Sequence, residues 1–422
     1  MNPNFSIGAI IRRYKFLVVF GLLSATLRLV IVANGGKSLF DSGQDAPTYL
    51  QAALDFIKYG WLSSQISSLP VWPAGYPFFL SVFLTISGSG GWILVSLFQH
   101  LLFICAVVYF VSELRGYLST EQKNLLLIIL FFIPSFLYSP SENMYESLLA
   151  SLLLVGIAAS MRLFHSKSNE RYPIFLAIIS FGFAGFLQAK TVPIGILIFL
   201  LISLKKRNKL FLYAPLFLWG VVLTVHRSFV AYGILSPSIN YSIALNVGGA
   251  KVPCKIISAD NLTGAQLGAS VDRQYIYCSV KHFATNPTDL FTHMATQARA
   301  LFGPLDGGGI TGATTWFHGL GFQRIMGFLG FSDLTVLFRI ENMYALLLNI
   351  MMFFGFILAL RTLDRGITIA IALPIVIISL VHLVSDGDAR YRLPFLPFQL
   401  VFLVILLSYG TGWILKKLKF RP

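Results

Sequence analysis

Asp45 opens the stretch DAPTYLQAALDFIKYGW, residues 45–61, and a carboxylate at that place can serve in two ways. Read as a helix, the stretch gathers Leu50, Ala53, Leu54 and Ile57 on one stripe and Thr48, Gln51, Asp55 and Lys58 on another. That is the pattern of a half-buried surface helix. Pro47 suits a first helical position and leaves Asp45 just ahead of the helix, where backbone N–H groups and the helix dipole favour an ionised carboxylate. Such a group beside apolar surface is either a general base or a helix-start acid with no further role. Spacing alone leaves both open.

More residues able to do chemistry lie between the long apolar runs or at their ends: Asp41, Asp55, Glu142, Glu146, Lys190, His226, Arg227, Asp386, Asp388, Arg390 and Arg392. Each alone is an ordinary loop residue; together they suggest a site for a charged, membrane-borne substrate. Lys190, Arg227, Arg390 and Arg392 suit a phosphate, because cationic side chains, and the guanidinium fork above all, match its oxygens. Ion pairing with Asp386, Asp388, Glu142 or lipid head groups is the other use for them.

The elements that must position these residues are membrane helices. Of 422 residues 56% are hydrophobic and only 12% charged, with a mean hydropathy of +0.75, beyond what a soluble core of this length needs. Runs long enough for about 30 Å of hydrocarbon fall near 16–34, 91–112, 122–139, 144–162, 173–189, 191–204, 209–225, 341–360, 366–384 and 395–415. The expectation is an all-α polytopic membrane protein with about ten transmembrane helices, in a range of 9 to 13, and juxtamembrane helices outside the cytoplasm. The first run has no cleavage pattern after it and reads as a retained anchor. The runs 173–189 and 191–204 read as a broken pair that turns at the outer surface.

The net charge of +15 is distributed as topology rather than as a nucleic-acid surface. Arg12, Arg13 and Lys15 precede the first run, and Arg115 and Lys123, Lys167 and Arg171, Lys205 to Lys209, Arg361 and Arg365, and Lys416 to Lys419 fill every second connection. The positive-inside rule puts these loops and both termini in the cytoplasm. The opposite face then holds the loop 35–90, the turns SPSENMYE and AKTVP, the long loop 226–340 and SDGDARYRLP. The whole chain, 1–422, reads as one transmembrane domain.

The order D-x-x-x-Y-x-x-x-A, a glycine, then P-x-G-Y-P, running from Asp45 and Tyr49 to Tyr76, resembles the first external loop of GT-C superfamily glycosyltransferases. The likeness is to the dolichyl-phosphate-mannose protein mannosyltransferase-like family and its bacterial relatives that use polyprenyl-phosphate sugars. SENMYESLLA, GFLQAKTVPIGILI, HRSFVAYGILSPSINYSIALNVGGA, HFATNPTDLFTHMATQARALFGP and ARYRLPFLP follow in the family's order. Ala46 stands where a second acid is common, the Trp and Asn that often flank the loop arginine are missing around Arg227, and the turn at Lys190 is a loose match.

The resemblance implies a GT-C fold and transfer of one sugar from a polyprenyl-phosphate donor to a hydroxyl of a lipid, glycan or protein, with inversion, outside the cytoplasm. The setting would be a bacterial inner membrane. It implies Asp45 as general base and Tyr49, Tyr76, Glu142, Lys190, Arg227, Arg390, Tyr391 and Arg392 as substrate-binding residues. Such a donor carries its own activation, so no cofactor and no nucleotide-binding loop are expected, and membrane lipids rather than nucleic acid are the partners. Asp386 and Asp388 have D-x-D spacing suited to a divalent metal, but nucleotide sugars are cytoplasmic and this loop faces away.

Smaller features read more simply. Gly307 to Gly309 form a turn without a phosphate-binding context, and Gln99 with His100 form an interhelical hydrogen-bonding pair. Cys105 falls in the membrane, Cys254 and Cys278 suit a disulfide in an oxidising compartment, and FTHMATQARALFGP is amphipathic enough to rest on the bilayer. A transporter or lipid-linked sugar flippase would share the many helices, but with paired halves and mid-helix charges.

Overall fold

The computed structural model describes residues 7–42, 45–66, 73–165, 171–207, 209–237, 264–302, 334–385 and 389–419. Its elements are helices: α1 (Ile7–Phe40), α2 (Ala46–Tyr59), α3 (Gly75–Ser87), α4 (Gly91–Glu113), α5 (Thr120–Phe132), α6 (Pro134–Tyr138), α7 (Glu146–His165), α8 (Arg171–Leu187), α9 (Val192–Lys206) and α10 (Trp219–Tyr232). After these come α11 (Gly264–Thr285), α12 (Pro287–Leu301), α13 (Leu334–Thr362), α14 (Arg365–Val384) and α15 (Leu396–Lys419). Helices are what such a sequence must form, since hydrocarbon offers backbone groups no partner outside their own segment.

Each of the ten apolar runs falls on helix. Among the described residues five helices are long and apolar enough to cross a membrane: Val18–Phe40, Gly75–Glu113, Glu146–His165, Leu210–Tyr232 and Arg365–Val384. The bent pair 120–141 makes six. The segments Arg171–Leu187, Leu346–Thr362 and Leu396–Gly410 are shorter apolar helices. The described residues form the helices of an integral membrane protein.

The boundaries of both long loops differ from the sequence expectation; the loop 226–340 is shorter because α10 runs to Tyr232 and α13 begins at Leu334. The loop 35–90 begins later, because α1 runs to Phe40, and it contains α3, which continues through a short 3-10 turn at Gly88–Gly90 into α4. Pro77 lies in the first turn of α3, where the N–H it lacks would have had no intrahelical acceptor.

Helix α7 is the centre of the bundle, buried along nearly its whole length and packed against α4 and α8. Close approach needs glycine there: a Cβ on Gly156 of α7 or Gly195 of α9 would lie 2.9 Å from the ring of Phe181. Contacts at one end of the bundle join the basic connections, with Lys205 on Asp364 at 2.7 Å and Arg162 near Glu113 at 4.0 Å. Asp364 also caps α14 by accepting from the N–H groups of Gly366 and Ile367. The amphipathic α12 buries His293, Gln297 and Leu301 and packs on α14, where His293 meets the carbonyl of Val384 at 3.0 Å. Cys278 on α11 is disulfide-bonded; Cys254, its expected partner, Asp386, Asp388 and Gly307 to Gly309 lie outside the described residues.

The run 122–139 is broken at Ile133, which is extended because a proline follows, and its two halves meet at 59°. The break frees carbonyls, and Arg28 of α1 answers them. Its guanidinium donates to the carbonyls of Phe136 and Phe131, at 2.5 and 3.3 Å, and to Nδ1 of His100 at 3.0 Å. Arginine only donates, so His100 keeps its proton on Nε2, which donates to Ser141 Oγ at 2.7 Å. Gln99 donates to the carbonyl of Pro140 and accepts from Ser147, so the expected Gln99–His100 pair does bridge helices.

Replacing Arg28 with alanine leaves the Phe131 and Phe136 carbonyls short of a donor, at about 1–3 kcal/mol each. The unfolding midpoint in detergent should drop clearly for Arg28→Ala and less for Arg28→Lys. An unchanged midpoint in both would show that the break does not depend on this side chain.

Candidate active site

Asp45 occupies the N-cap position of α2, with φ −96° and ψ 0°, but its side chain makes no capping hydrogen bond. The carboxylate points elsewhere, accepting from Nη1 of Arg390 at 2.8 Å, with side-chain exposures of only 13% and 10%. A helix-start acid would have turned back to its own N–H groups.

Arg390 sits on the 3-10 turn Ala389–Arg392, between α14 and α15. Its Nη2 donates to the Tyr391 hydroxyl at 2.9 Å, and its Nε lies 3.9 Å from Oε1 of Glu146. The Tyr391 ring stacks on His382 of α14, centroids 4.0 Å apart and planes at 16°. Lys190, on the turn Ala189–Thr191 between α8 and α9, donates to His382 Nε2 at 2.6 Å and lies 4.9 Å from the Tyr391 centroid. A continuous polar string therefore runs from Asp45 through Arg390, Tyr391 and His382 to Lys190.

The segment after α6 fixes this string to the helices. Asn143 takes the carbonyl of Phe40 with its N–H and the carbonyl of Ala46 with its Nδ2, at 2.9 and 2.8 Å, and so ties both ends of the connection that carries Asp45. Glu142 and Glu146 flank it, both buried; Glu142 Oε1 and both Glu146 oxygens make no hydrogen bond among the described residues. Tyr49, one turn into α2, meets Tyr76 and Tyr145 edge to face, at 5.3 and 6.3 Å between centroids.

Burial, with Glu146 nearby, pushes the Glu142 carboxyl up to about 8. Burial, then Glu146 and Asp45, raise the Tyr49 phenol well above its ordinary value. Desolvation works to lower the Arg390 pKa, but Tyr391, Glu146 and Asp45 outweigh it and hold the guanidinium above its ordinary value. The site thus combines an ion pair, a second cation, and a carboxyl that is largely neutral near pH 7. Strongly perturbed groups in one buried cluster mark candidate functional sites.

Two expected phosphate ligands are placed differently. Arg227 donates to the carbonyls of Trp61 and Ser63, at 3.0 and 3.3 Å, and to the Tyr232 hydroxyl at 3.1 Å, among the rings of Phe56, Trp61 and Tyr232. It staples the chain that follows α2. Arg392 is buried, donating to Gln399 Oε1 at 2.9 Å and contacting Met352 Sδ at 3.8 Å. Alternate residues of a tight turn face apart, so Arg390 and Arg392 serve different surroundings. Asp41 pairs with Lys37, Asp55 accepts from Gln51 on the exposed side of α2, and His226 is exposed. No group of three or more His, Cys, Asp or Glu suited to a metal occurs among the described residues.

Sequence reasoning passed over His382, Asn143 and Tyr145. His382 carried a faint signal, a lone polar residue in the last turn of an apolar run.

The class defined so far is an integral membrane protein with a charged, buried site where several helix ends meet. No protein-family profile matches the sequence, and no curated protein matches it. Among solved structures, the chain resembles the apo oligosaccharyltransferase of Archaeoglobus fulgidus, with a TM-score of 0.51 and 13% identity over 97% of this chain and 52% of that one. It also matches the archaeal oligosaccharyltransferase AglB from Archaeoglobus fulgidus in complex with an inhibitory peptide and a dolichol-phosphate, with a TM-score of 0.47 and 11% identity, over 97% and 52%. The chain therefore shares its fold with an oligosaccharyltransferase and spans about half the length of that protein.

A carboxyl raised in the folded state takes up a proton on folding, so between about 4.5 and about 8 stability declines as pH rises. Glu142→Gln should lessen that decline by on the order of 1 kcal/mol per pH unit, in unfolding midpoints taken from pH 5 to pH 8.5 in detergent. Equal slopes for both proteins would mean that Glu142 titrates as an ordinary carboxylate.

Proposed function

We propose that this chain is a membrane glycosyltransferase of GT-C type that moves one sugar from a polyprenyl-phosphate-linked donor to a hydroxyl acceptor on the extracytoplasmic face, with inversion. The observation that carries this is the half-buried Asp45–Arg390 pair, a carboxylate and a phosphate-matching cation in direct contact. The fold shared with an oligosaccharyltransferase supports the same chemistry.

The acceptor oxygen attacks the anomeric carbon while the bond from that carbon to the phosphate oxygen breaks. The bonding pair leaves with the phosphate, and the acceptor proton goes to Asp45. Charge grows on the leaving phosphate, so cations fixed beside it stabilise the transition state more than the ground state. Arg390 and Lys190 take that role, while Arg227 and Arg392 hold the backbone and helices that carry the site. Neutral Glu142, together with Tyr49 and Tyr76, offers hydrogen-bonding groups to the sugar. The acceptor is a lipid, glycan or protein hydroxyl, and the setting is a bacterial inner membrane with the site facing outward, crossed by about ten helices.

The test is transfer of labelled sugar from a panel of polyprenyl-phosphate sugars in membranes holding equal amounts of each protein. Asp45→Asn should lose about a hundredfold or more, Arg390→Lys should lose less than Arg390→Ala, because a point charge replaces the fork, and Asp41→Asn should do little. Near-normal transfer by Asp45→Asn would end the base assignment, and a severe loss in Asp41→Asn alone would move it there.

A further inference from the structure

One oxygen of the Asp45 carboxylate is already engaged by a cation. Oδ2 accepts from Arg390 Nη1 at 2.8 Å, in a place only about one-tenth exposed. The same guanidinium is the cation best placed to hold the donor phosphate, since Arg390 and Lys190 are joined through Tyr391 and His382. One group cannot give the same N–H fully to two anions, and a phosphate with several oxygens competes well for a guanidinium fork. We infer that base and donor phosphate compete for Arg390, so that donor binding draws the guanidinium from Asp45 and only then turns the carboxylate to the acceptor. The order is compulsory: lipid-phosphate donor first, acceptor second. It rests on the lipid-phosphate transfer proposed above.

Two features of the site suit this exchange. Arg390 already spans Asp45 and Tyr391 with separate nitrogens and has Glu146 3.9 Å from Nε, so a small rotation of the fork changes partners without leaving the charge bare. Asp45 lies at the start of α2, a position whose backbone is tied by Asn143 through Ala46 while its side chain is held, among the described residues, by Arg390. Released, the carboxylate remains in place beside Tyr49.

The competition makes a prediction opposite in sign to a simple loss of a binding residue. Polyprenyl phosphate without a sugar, titrated into purified protein in nanodiscs, should bind Asp45→Asn about tenfold tighter than wild type, roughly the 1.4 kcal/mol of one weakened competing contact. Asp45→Glu keeps the competing charge and should show no such gain. Inorganic phosphate serves as the second probe, and the same tightening with it would show that the head group alone drives the exchange. Should Asp45→Asn fail to fold, initial-rate kinetics of the wild type decide: an unreactive acceptor analogue lacking the attacking hydroxyl must inhibit uncompetitively against donor, and noncompetitive inhibition, the sign of random addition, overturns the ordered exchange. Equal or weaker binding by folded Asp45→Asn, with wild-type transfer present, overturns the exchange and leaves the proposed function standing. Absence of both transfer and polyprenyl-phosphate binding in the wild type overturns both.

Discussion

A charge largely withdrawn from water must be matched, and the contact that this molecule depends on is the one between Asp45 and Arg390, 345 residues apart in sequence. Removing either partner would leave its mate in a low-dielectric setting, at a cost of several kcal/mol. The pair can form only if the start of α2, the N-terminus of α7 and the turn before α15 meet at one end of the bundle. Asn143 fixes the first of these by bonding the last turn of α1 and the first of α2. The turn Ala189–Thr191 brings the second cation to the same end through His382 and Tyr391.

A second polar network supports the first from below. Arg28 fills the break between α5 and α6, sets the tautomer of His100, and through it holds Ser141. Ser141 adjoins Glu142, so the chain from α1 ends on the segment that carries both acids and Asn143. This is a membrane interior used for positioning: charges there are tolerated because carbonyls freed by a proline break accept them. The central α7, packed around Phe181 with glycines on two neighbouring surfaces, gives the site a rigid floor.

Much of the architecture was legible because membrane insertion writes strong local signals. The positions of the apolar runs, the turn bearing Lys190 and the placement of Asp45 before a helix all follow from hydropathy, charge and proline. What was not legible depends on long-range contact. Arg227, Arg390 and Arg392 look alike in sequence, yet one grips backbone carbonyls, one pairs with Asp45 and one packs on Gln399. Arg28 passed unnoticed inside an apolar run because its partners are carbonyls, which every residue has. Helix α3 falls inside the expected loop 35–90, although its own residues are as apolar as those of α4.

The central claim is that the Asp45–Arg390 centre receives a lipid phosphate. A density map of the purified protein in lipid nanodiscs with bound polyprenyl phosphate tests it most directly. The phosphate should lie within about 3 Å of nitrogen atoms of Arg390 and Lys190, the distance of a charge-assisted hydrogen bond, with Asp45 beside it and turned from the guanidinium. A head group seated elsewhere on the molecule, with the Asp45–Arg390 pair intact and untouched, would contradict the account.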